Sequence, residues 1–329
     1  MATIKDVAQR ANVSTCTVSR VLSQKGYISD KTRAAVLQAV EELKYQPNSI
    51  ATELKVGVSN TIGLIVPDIT NYYYMELAAQ IERYANAEGH LIYLCNSSYD
   101  RAKEKKFVTA LTNRKIKGLI VIPVSNEIGH FLELQKKSIP FAFVNRTFPN
   151  AIDFCIAEDN RGAAYEVVSH LKELKRARIA GIFQSFDNMI YQERYEGMKQ
   201  AILDQGNGFD ESLIIYNAEM EKTCERIEEL FRRPDRPDAI FAANDMLAFD
   251  VYKVLDGLHL RIPQDVMVVG FDDTLMAQKI SPPLSSYKMP IDVIAYRSVK
   301  AVLNGGLEQA ALPISGKLVK RQSTANLTP

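Results

Sequence analysis

The sequence contains no tryptophan, and it has only four cysteines and four histidines among its 329 residues. The cysteines lie far apart, without the spacing of a zinc site or a redox motif, so free thiols in a reducing compartment are the simplest interpretation. No apolar run approaches the roughly 18 residues that a membrane-spanning helix needs. No secretory signal is visible at the start. We therefore expect a cytoplasmic protein with no metal site and no membrane partner.

Sequence motifs of catalysis are also absent. There is no glycine-rich dinucleotide fingerprint, phosphate-binding loop, zinc-protease motif or nucleophile elbow. Asp272 and Asp273 form a pair of carboxylates that can serve acid/base chemistry, but no nucleophile or metal-ligand cluster lies near them in the sequence. These absences argue against an enzyme, and we expect no cofactor.

The composition indicates a globular protein with more than one domain. Apolar residues make up 47% of the chain and charged residues 24%, and 329 residues exceed one ordinary hydrophobic core. Residues 1–59 carry a net charge of +3, and the remainder carries −2. A basic head on an acidic body favours a nucleic-acid-binding N-terminal domain.

Three amphipathic segments follow one another in residues 1–46. The first has an apolar stripe from Ile4 to Ala11, and a break at residues 12–14 separates it from the second, residues 15–22. The second segment is apolar on one face and carries threonine, cysteine, serine and arginine on the other. Two short helices joined by a tight turn, with a third packed across them, form a helix-turn-helix unit whose second helix can enter the major groove. A small helical domain with a merely solvated polar face is the alternative.

Four strings within the first 48 residues carry a more specific signal. They are residues 2–8, 13–22, 28–33 and 45–48. In these strings the chain resembles the DNA-binding head of the lac-repressor (LacI/GalR) family of bacterial transcription regulators. The resemblance implies base contacts by Thr15, Cys16 and Arg20. It implies phosphate contacts by Ser14, Thr17, Ser19, Tyr45 and Asn48.

Residues 47–59 predict a hinge. Pro47 ends the third helix, and Asn48 can cap a helix of about two turns, which is marginal on its own in water. We expect this segment to fold only against DNA and a second copy of the chain. The resemblance implies that Leu54 wedges into the minor groove and that Lys55 contacts it. A plain linker is the alternative.

From residue 60 onward, short apolar runs alternate with amphipathic helical segments, which is typical of parallel α/β sheets. Eight such runs are too many for one sheet of this kind, so residues 60–329 predict a body of two doubly wound lobes. The predicted strands are residues 62–66, 91–95, 119–122, 141–144, 179–183, 213–216, 239–243 and 266–271. We expect the N-lobe at about 60–160 and 291–319, and the C-lobe at about 161–290 and 320–329.

Polar residues gather at the predicted carboxyl ends of these strands, where open α/β sheets bind ligands. Carboxylates, amides, arginine and tyrosine together suit a polyhydroxylated ligand, although each Asp or Asn can instead cap the next helix. The strings at residues 62–66, 244–245 and 269–273 resemble the periplasmic-binding-protein-like sensor of the same family. The resemblance implies effector contacts by Tyr73, Arg146, Asp159, Arg194, Asn244 and Asp272.

The sequence therefore predicts a sequence-specific DNA-binding transcription regulator, a repressor that a sugar or sugar derivative controls. A symmetric homodimer would bind a pseudo-palindromic operator in double-stranded DNA. The direction of the effector's action and a phosphoprotein co-regulator stay open. One alternative is a sugar- or nucleotide-processing α/β enzyme. Another is an extracytoplasmic solute-binding protein, but that function would leave the N-terminal head unexplained.

Overall fold

A computed structural model describes residues 2–22, 27–45, 59–148, 151, 154–185, 189–206, 208–216, 220–306 and 313–325. The chain divides into two compact units, Met1–Ser59 and Asn60–Pro329, at the position where the sequence analysis separates hinge from body. Residues 46–58 lie outside the described residues, and the predicted contacts Asn48, Leu54 and Lys55 lie there with them.

The described part of the head contains three capped helices. They are α1 (Ile4–Arg10), α2 (Thr15–Leu22) and α3 (Asp30–Glu42). Thr3 and Asp6 form a reciprocal capping box on α1, and Ser29 caps α3. Ser14 Oγ accepts the Thr17 N–H at 3.1 Å and so caps α2. Asn12 adopts a left-handed conformation, with φ at 52°, in the turn between α1 and α2.

The apolar stripes of the three helices meet in a core that belongs to the head alone. Val7, Val18 and Val36 are fully buried in it. Burying a side chain of this size contributes roughly 1.5–3 kcal/mol, so the stripes hold the three helices together. The head is the helix-turn-helix unit that the sequence predicts.

The N-lobe of the body contains a parallel sheet in the order β2-β1-β3-β4-β5. Its strands are β1 (Thr61–Val66), β2 (Leu91–Asn96), β3 (Gly118–Val121), β4 (Phe141–Val144) and β5 (Cys155–Ile156). The helices between them are α4 (Tyr72–Ala87), α5 (Arg101–Asn113) and α6 (Gly129–Lys136). Strand β1 is buried along its whole length, with Leu64 and Ile65 in different core clusters, which explains its uninterrupted apolar sequence.

The C-lobe contains a sheet in the order β11-β10-β9-β8-β6-β7, parallel except for the β10–β11 pair. Its strands are β6 (Ile179–Phe183), β7 (Ile214–Tyr216), β8 (Ala239–Ala242), β9 (Met267–Asp272), β10 (Ser285–Lys288) and β11 (Lys317–Val319). The remaining helices are α7 (Asn160–Glu173), α8 (Met189–Leu203), α9 (Met220–Arg232), α10 (Asp245–Gly257), α11 (Leu275–Lys279) and α12 (Ile291–Asn304). Helix α12 packs on α4 and β4 and so returns to the N-lobe.

All eight predicted strands are present, each within one residue of the predicted ends. The predicted lobe division is wrong at one point. It places residues up to 319 in the N-lobe, but β11 pairs with β10 in the C-lobe sheet, from Ser286 opposite Val319 to Lys288 opposite Lys317. The last crossover therefore comes before β11. No helix of the described residues is long and apolar enough to cross a membrane.

Candidate functional site

Helix α2 presents its polar side chains outward while Val18 and Val21 anchor it in the head core. Ser14, Thr15, Cys16, Ser19 and Arg20 are exposed, and Thr17 is half-buried. The hydroxyls of Ser14 and Thr17 also lie 2.9 Å apart in a hydrogen bond at the start of the helix. A helix N-terminus carries partial positive charge and free N–H groups, which suit a phosphate. The predicted base and phosphate contacts of α2 therefore share one accessible surface.

Tyr45 is the other described member of the predicted phosphate set. Its side chain is half-buried against the head core just beyond the end of α3. This packing fixes where the chain leaves the head toward the predicted hinge.

In the body, Tyr73 joins the ends of three strands of the N-lobe. Asn71, which follows β1, caps α4 by accepting the Tyr73 N–H at 2.9 Å. The Tyr73 hydroxyl donates to Asn145 Oδ1 at 2.9 Å, and Glu158 Oε1 lies 3.3 Å away. Burial raises the pKa of Glu158 from 4.5 to about 7, against the opposing effect of the Arg194 charge.

Arg194, on α8, occupies the centre of this buried polar cluster. Its Nε donates to Asn160 Oδ1 at 2.9 Å, and its Nη1 donates to the Ala243 carbonyl. The guanidinium carbon lies 3.5 Å from the centre of the Phe271 ring, in a cation–π contact. Nη1 also lies 3.9 Å from Asp272 Oδ1. The two hydrogen bonds, the aromatic ring and the nearby carboxylate together fix the position of the Arg194 side chain.

Asp272, the last residue of β9, adopts a positive φ of 108°. Such a conformation is costly for a residue other than glycine, and it persists where the surroundings determine it, often at ligand sites. Burial raises the pKa of Asp272 well above its ordinary value, while Arg194 opposes this effect and Asp245 and Glu158 add to it. The backbone conformation and the burial of Asp272 therefore fix the position of its carboxyl group.

Asn244 lies at the start of α10 and has two roles. Its Oδ1 caps the helix by accepting the Leu247 N–H at 2.8 Å, and its Nδ2 donates to the Tyr191 hydroxyl at 2.8 Å. Tyr191 in turn donates to Gln184 Oε1 at 2.9 Å. A cavity of about 150 Å³ opens beside this chain of hydrogen bonds. The cavity is lined by Asp68, Thr70, Asn71 and Tyr99 of the N-lobe and by Gln184, Thr223, Asn244, Met246, Leu247 and Asp250 of the C-lobe.

Arg146, two residues beyond β4, lines a narrow crevice next to this cluster. Its side chain is buried, and Nη1 donates to Asn126 Oδ1 over a long 3.4 Å. Burial lowers the pKa of the guanidinium group, because the charged form loses hydration.

Asp159 is the predicted effector contact that the structure does not bring to the cluster. It is exposed, and its Oδ1 caps α7 by accepting the Gly162 N–H at 2.8 Å. Its neighbour Glu158 instead reaches Tyr73, and Asn160 reaches Arg194. The capping alternative applies to Asp159, and the other five predicted contacts are buried in the body.

Glu158 and Tyr191 also belong to the cluster, although neither was among the predicted effector contacts. Glu158 belongs to the same polar string as Asp159, and only its burial distinguishes the two. Tyr191 lies one helical turn before Arg194 on α8, and this spacing places both on one face of the helix, a signal available from the sequence.

The cleft combines carboxyl, amide, guanidinium and phenol groups, which together can donate to and accept from the hydroxyls of a small polar molecule. Among the residues that the structure describes, no group of three or more His, Cys, Asp or Glu side chains is arranged to hold a metal ion.

Comparison with known proteins agrees with both units. Residues 3–48 match the family of bacterial regulatory proteins, lacI family, and residues 168–324 match a periplasmic binding protein-like domain. The chain is 34% identical over 334 residues to the HTH-type transcriptional regulator DegA of Bacillus subtilis, with 99% of this chain and 98% of DegA covered. It is 33% identical to the ribose operon repressor of Halalkalibacterium halodurans, with 98% and 97% covered. The chain belongs to the lacI family.

Solved structures of other regulators share the fold. The lac repressor dimer bound to operator and the anti-inducer ONPF has a TM-score of 0.83 at 24% identity, with 99% of each chain covered. The transcriptional regulator CelR in complex with cellobiose has a TM-score of 0.72 at 25% identity, with 98% of this chain and 100% of that chain covered. As a lacI-family member, the chain is a DNA-binding transcriptional regulator with a helix-turn-helix head and a two-lobed, periplasmic-binding-protein-like body.

Proposed function

We propose that this regulator represses transcription in the cytoplasm as a homodimer on a pseudo-palindromic operator. We further propose that a small polyhydroxylated effector, a sugar or sugar derivative, controls it from the body cleft. The names of relatives support this direction, since they include a ribose operon repressor, PurR repressors of Vibrio vulnificus and other species, and CelR with cellobiose. A cofactor and a phosphoprotein co-regulator are not part of the proposal.

The observation that carries the effector proposal is the buried cluster around Arg194. Arg194, Asp272 and Asn244 are each about 5–6% exposed. Asp272 ends β9 and Asn244 follows β8, and Asn244 lines the cavity. Carboxylates, amides and guanidinium groups bind vicinal hydroxyls through paired hydrogen bonds. A ligand in the cavity would contact residues of both lobes and so sense their separation.

Control of DNA binding then follows from linkage. An effector shifts the regulator between two arrangements of its lobes only by the difference in its affinity for them. In a dimer, that shift changes how the two heads are held, and with them Thr15, Cys16 and Arg20 of each α2. The predicted hinge residues Leu54 and Lys55 would transmit the change to the minor groove.

Selection of binding sites from random duplex DNA by the purified full-length chain tests this proposal. A recovered palindrome supports the dimer, and a relaxed preference at one base pair of each half-site in the variant Arg20→Ala supports contact between α2 and the bases. Enrichment of a single half-site would refute the symmetric dimer. No enrichment, together with turnover of a sugar or nucleotide, would favour the enzyme instead.

A further inference from the structure

Arg146 is a buried cation with few partners in the part of the chain that the structure describes. Its side chain is 6% exposed, and among the described residues it makes one hydrogen bond, at 3.4 Å from Nη1 to Asn126 Oδ1. Its Nε is buried with no acceptor in the described part of the chain. A guanidinium group has five N–H donors, so most of the hydrogen-bonding capacity of Arg146 is unused.

The contrast with Arg194 shows that the fold can supply partners to a buried arginine. Arg194 is equally buried, but it donates to Asn160 and Ala243 and has Asp272 within 4 Å as a counter-ion. No ion pair to Arg146 forms among the described residues. A buried charge without a partner is costly, so an unsatisfied buried guanidinium group in a native fold indicates a functional role or a bound ion.

Among the described residues, Glu104 is the one carboxylate in the set of groups with the largest electrostatic influence on Arg146, and it already has hydrogen-bond partners. It is fully buried on α5, its Oε2 accepts the Val124 N–H at 3.0 Å, and its Oε1 lies 3.2 Å from His130 Nε2. Glu193 lines the same crevice as Arg146, but its Oε2 accepts from Asn160 Nδ2 at 3.1 Å. Neither carboxylate is positioned as the counter-ion of Arg146.

The other groups that act on Arg146 are phenols. They are Tyr74, Tyr99 and Tyr191. Burial raises the pKa of each, so their hydroxyls stay protonated and carry no negative charge. The phenols therefore provide no counter-charge to the Arg146 guanidinium. Tyr99 also lines the cavity between the lobes, beside the candidate effector site.

We propose that the effector carries an anionic group, a carboxylate or a phosphate, and that this group pairs with Arg146. The effector class is therefore a sugar acid or a sugar phosphate rather than a neutral sugar. The inference rests on the proposed function, because it assigns the chemistry of the same cleft. Two oxygens of the anion would accept hydrogen bonds from the N–H groups of the guanidinium.

The test uses the full-length protein and inorganic phosphate as the first probe, with sodium chloride at matched ionic strength as reference. Phosphate should raise the midpoint of thermal unfolding of the wild type in a concentration-dependent manner. Arg146→Gln should bind phosphate about 10- to 100-fold more weakly by titration calorimetry, and Arg146→Lys should keep part of the affinity. Arg83→Gln is the matched control, because it removes one positive charge from an exposed ion pair with Asp292 outside the cleft.

A second measurement needs no ligand. Because no counter-ion of Arg146 lies among the described residues, we expect Arg146→Met to raise the unfolding midpoint of the ligand-free chain. A lowered midpoint, or failure of this variant to fold, would show that Arg146 has a structural partner and would overturn the proposal. Equal protection of wild type and Arg146→Gln by phosphate, or no protection of the wild type, would overturn it as well.

Glucose, glucuronate and glucose 6-phosphate, compared in the same assay, distinguish the two anion sources. Stronger protection by glucuronate than by glucose 6-phosphate indicates a carboxylate, and the reverse indicates a phosphate. Site selection on DNA does not depend on Arg146. A protein that selects a palindrome and responds only to neutral sugars would therefore refute the anion and leave the regulatory function standing.

Discussion

The Glu76 carboxylate, on helix α4 of the N-lobe, accepts a hydrogen bond from the backbone N–H of Leu275 at 2.8 Å. Leu275 is the first residue of α11 in the C-lobe, and Thr274 before it provides no side-chain cap. Glu76 thus supplies from the opposite lobe the negative acceptor that the start of a helix favours. This contact joins the two lobes next to the cleft.

Glu76→Ala should favour separation of the lobes, because it removes the acceptor and leaves the α11 N–H unpaired. We expect a loss of about 1 kcal/mol in the free energy of unfolding and a larger radius of gyration by small-angle X-ray scattering. Glu76→Gln is the control, since its amide oxygen can accept the same bond. If Glu76→Ala keeps the wild-type radius and stability, the contact does not hold the lobes.

Arg194→Ala should destabilise the body by about 3–5 kcal/mol, because it leaves Asp272 buried without its nearby cation. In a chain that already carries Arg194→Ala, Asp272→Ala should then lower the free energy of unfolding by less than it does in the wild type. Chemical denaturation of the two single variants and the double variant gives the coupling, which we expect at about 0.5–3 kcal/mol. Additive effects would mean that the 3.9 Å separation carries no interaction.

The stability of the body should depend on pH through Glu158. Its pKa in the folded chain, about 7, lies above its ordinary value of 4.5, so the folded state holds the proton more tightly. The resulting stabilisation is fully present below about pH 4.5 and is lost as the pH rises through about 7, with a span of roughly 3 kcal/mol.

Glu158→Gln removes this titration. The stability difference between wild type and Glu158→Gln should therefore favour the wild type most at low pH and shrink as the pH rises, as measured by urea denaturation. Asp245, whose pKa is also raised to about 7, titrates in both proteins and cancels in the comparison. A difference that stays constant between pH 4.5 and 8 would contradict the assignment.

Arg20→Ala should cost about 1–3 kcal/mol of operator affinity and relax the preference at one base pair, because arginine reads guanine through two hydrogen bonds. Arg10→Ala is the matched control, since Arg10 lies on α1 in an exposed ion pair with Glu42 at 2.6 Å. Affinities on a set of single-base operator variants decide the role of Arg20. A uniform loss across all sequences would make it a phosphate contact.

The strands that the sequence predicts are those with continuous apolar runs, because such runs are buried on both faces of a parallel sheet. Strand β10 was missed because it starts with two serines. Both are fully buried: Ser286 Oγ donates to Asp245 Oδ1 at 2.6 Å, and Ser285 Oγ accepts the Arg321 N–H at 2.7 Å. Partners so distant in sequence satisfy the hydroxyls, and no local pattern reveals them.

The candidate site was predictable in type and place but not in every residue. The predicted strand ends give the place of the polar cluster. Glu158, Asp159 and Asn160 are adjacent in the sequence, however, and the residue types alone do not show which of them are buried. From the sequence, Arg146 and Arg194 are likewise both predicted effector contacts, with nothing to distinguish their roles. Only the packed structure shows that, among the described residues, Arg194 has several partners and Arg146 has one hydrogen bond, because these partners come from separate elements.

Operator affinity in the presence of single compounds tests the central claim most directly. The full-length protein, bound to its selected site, would be titrated with sugars, sugar acids, sugar phosphates and nucleosides and followed by fluorescence anisotropy. The account predicts that one compound changes the affinity of the wild type by about 5- to 150-fold and leaves that of Asp272→Ala unchanged. An equal response of both proteins, or no response of the wild type to any compound, would contradict control from the cleft.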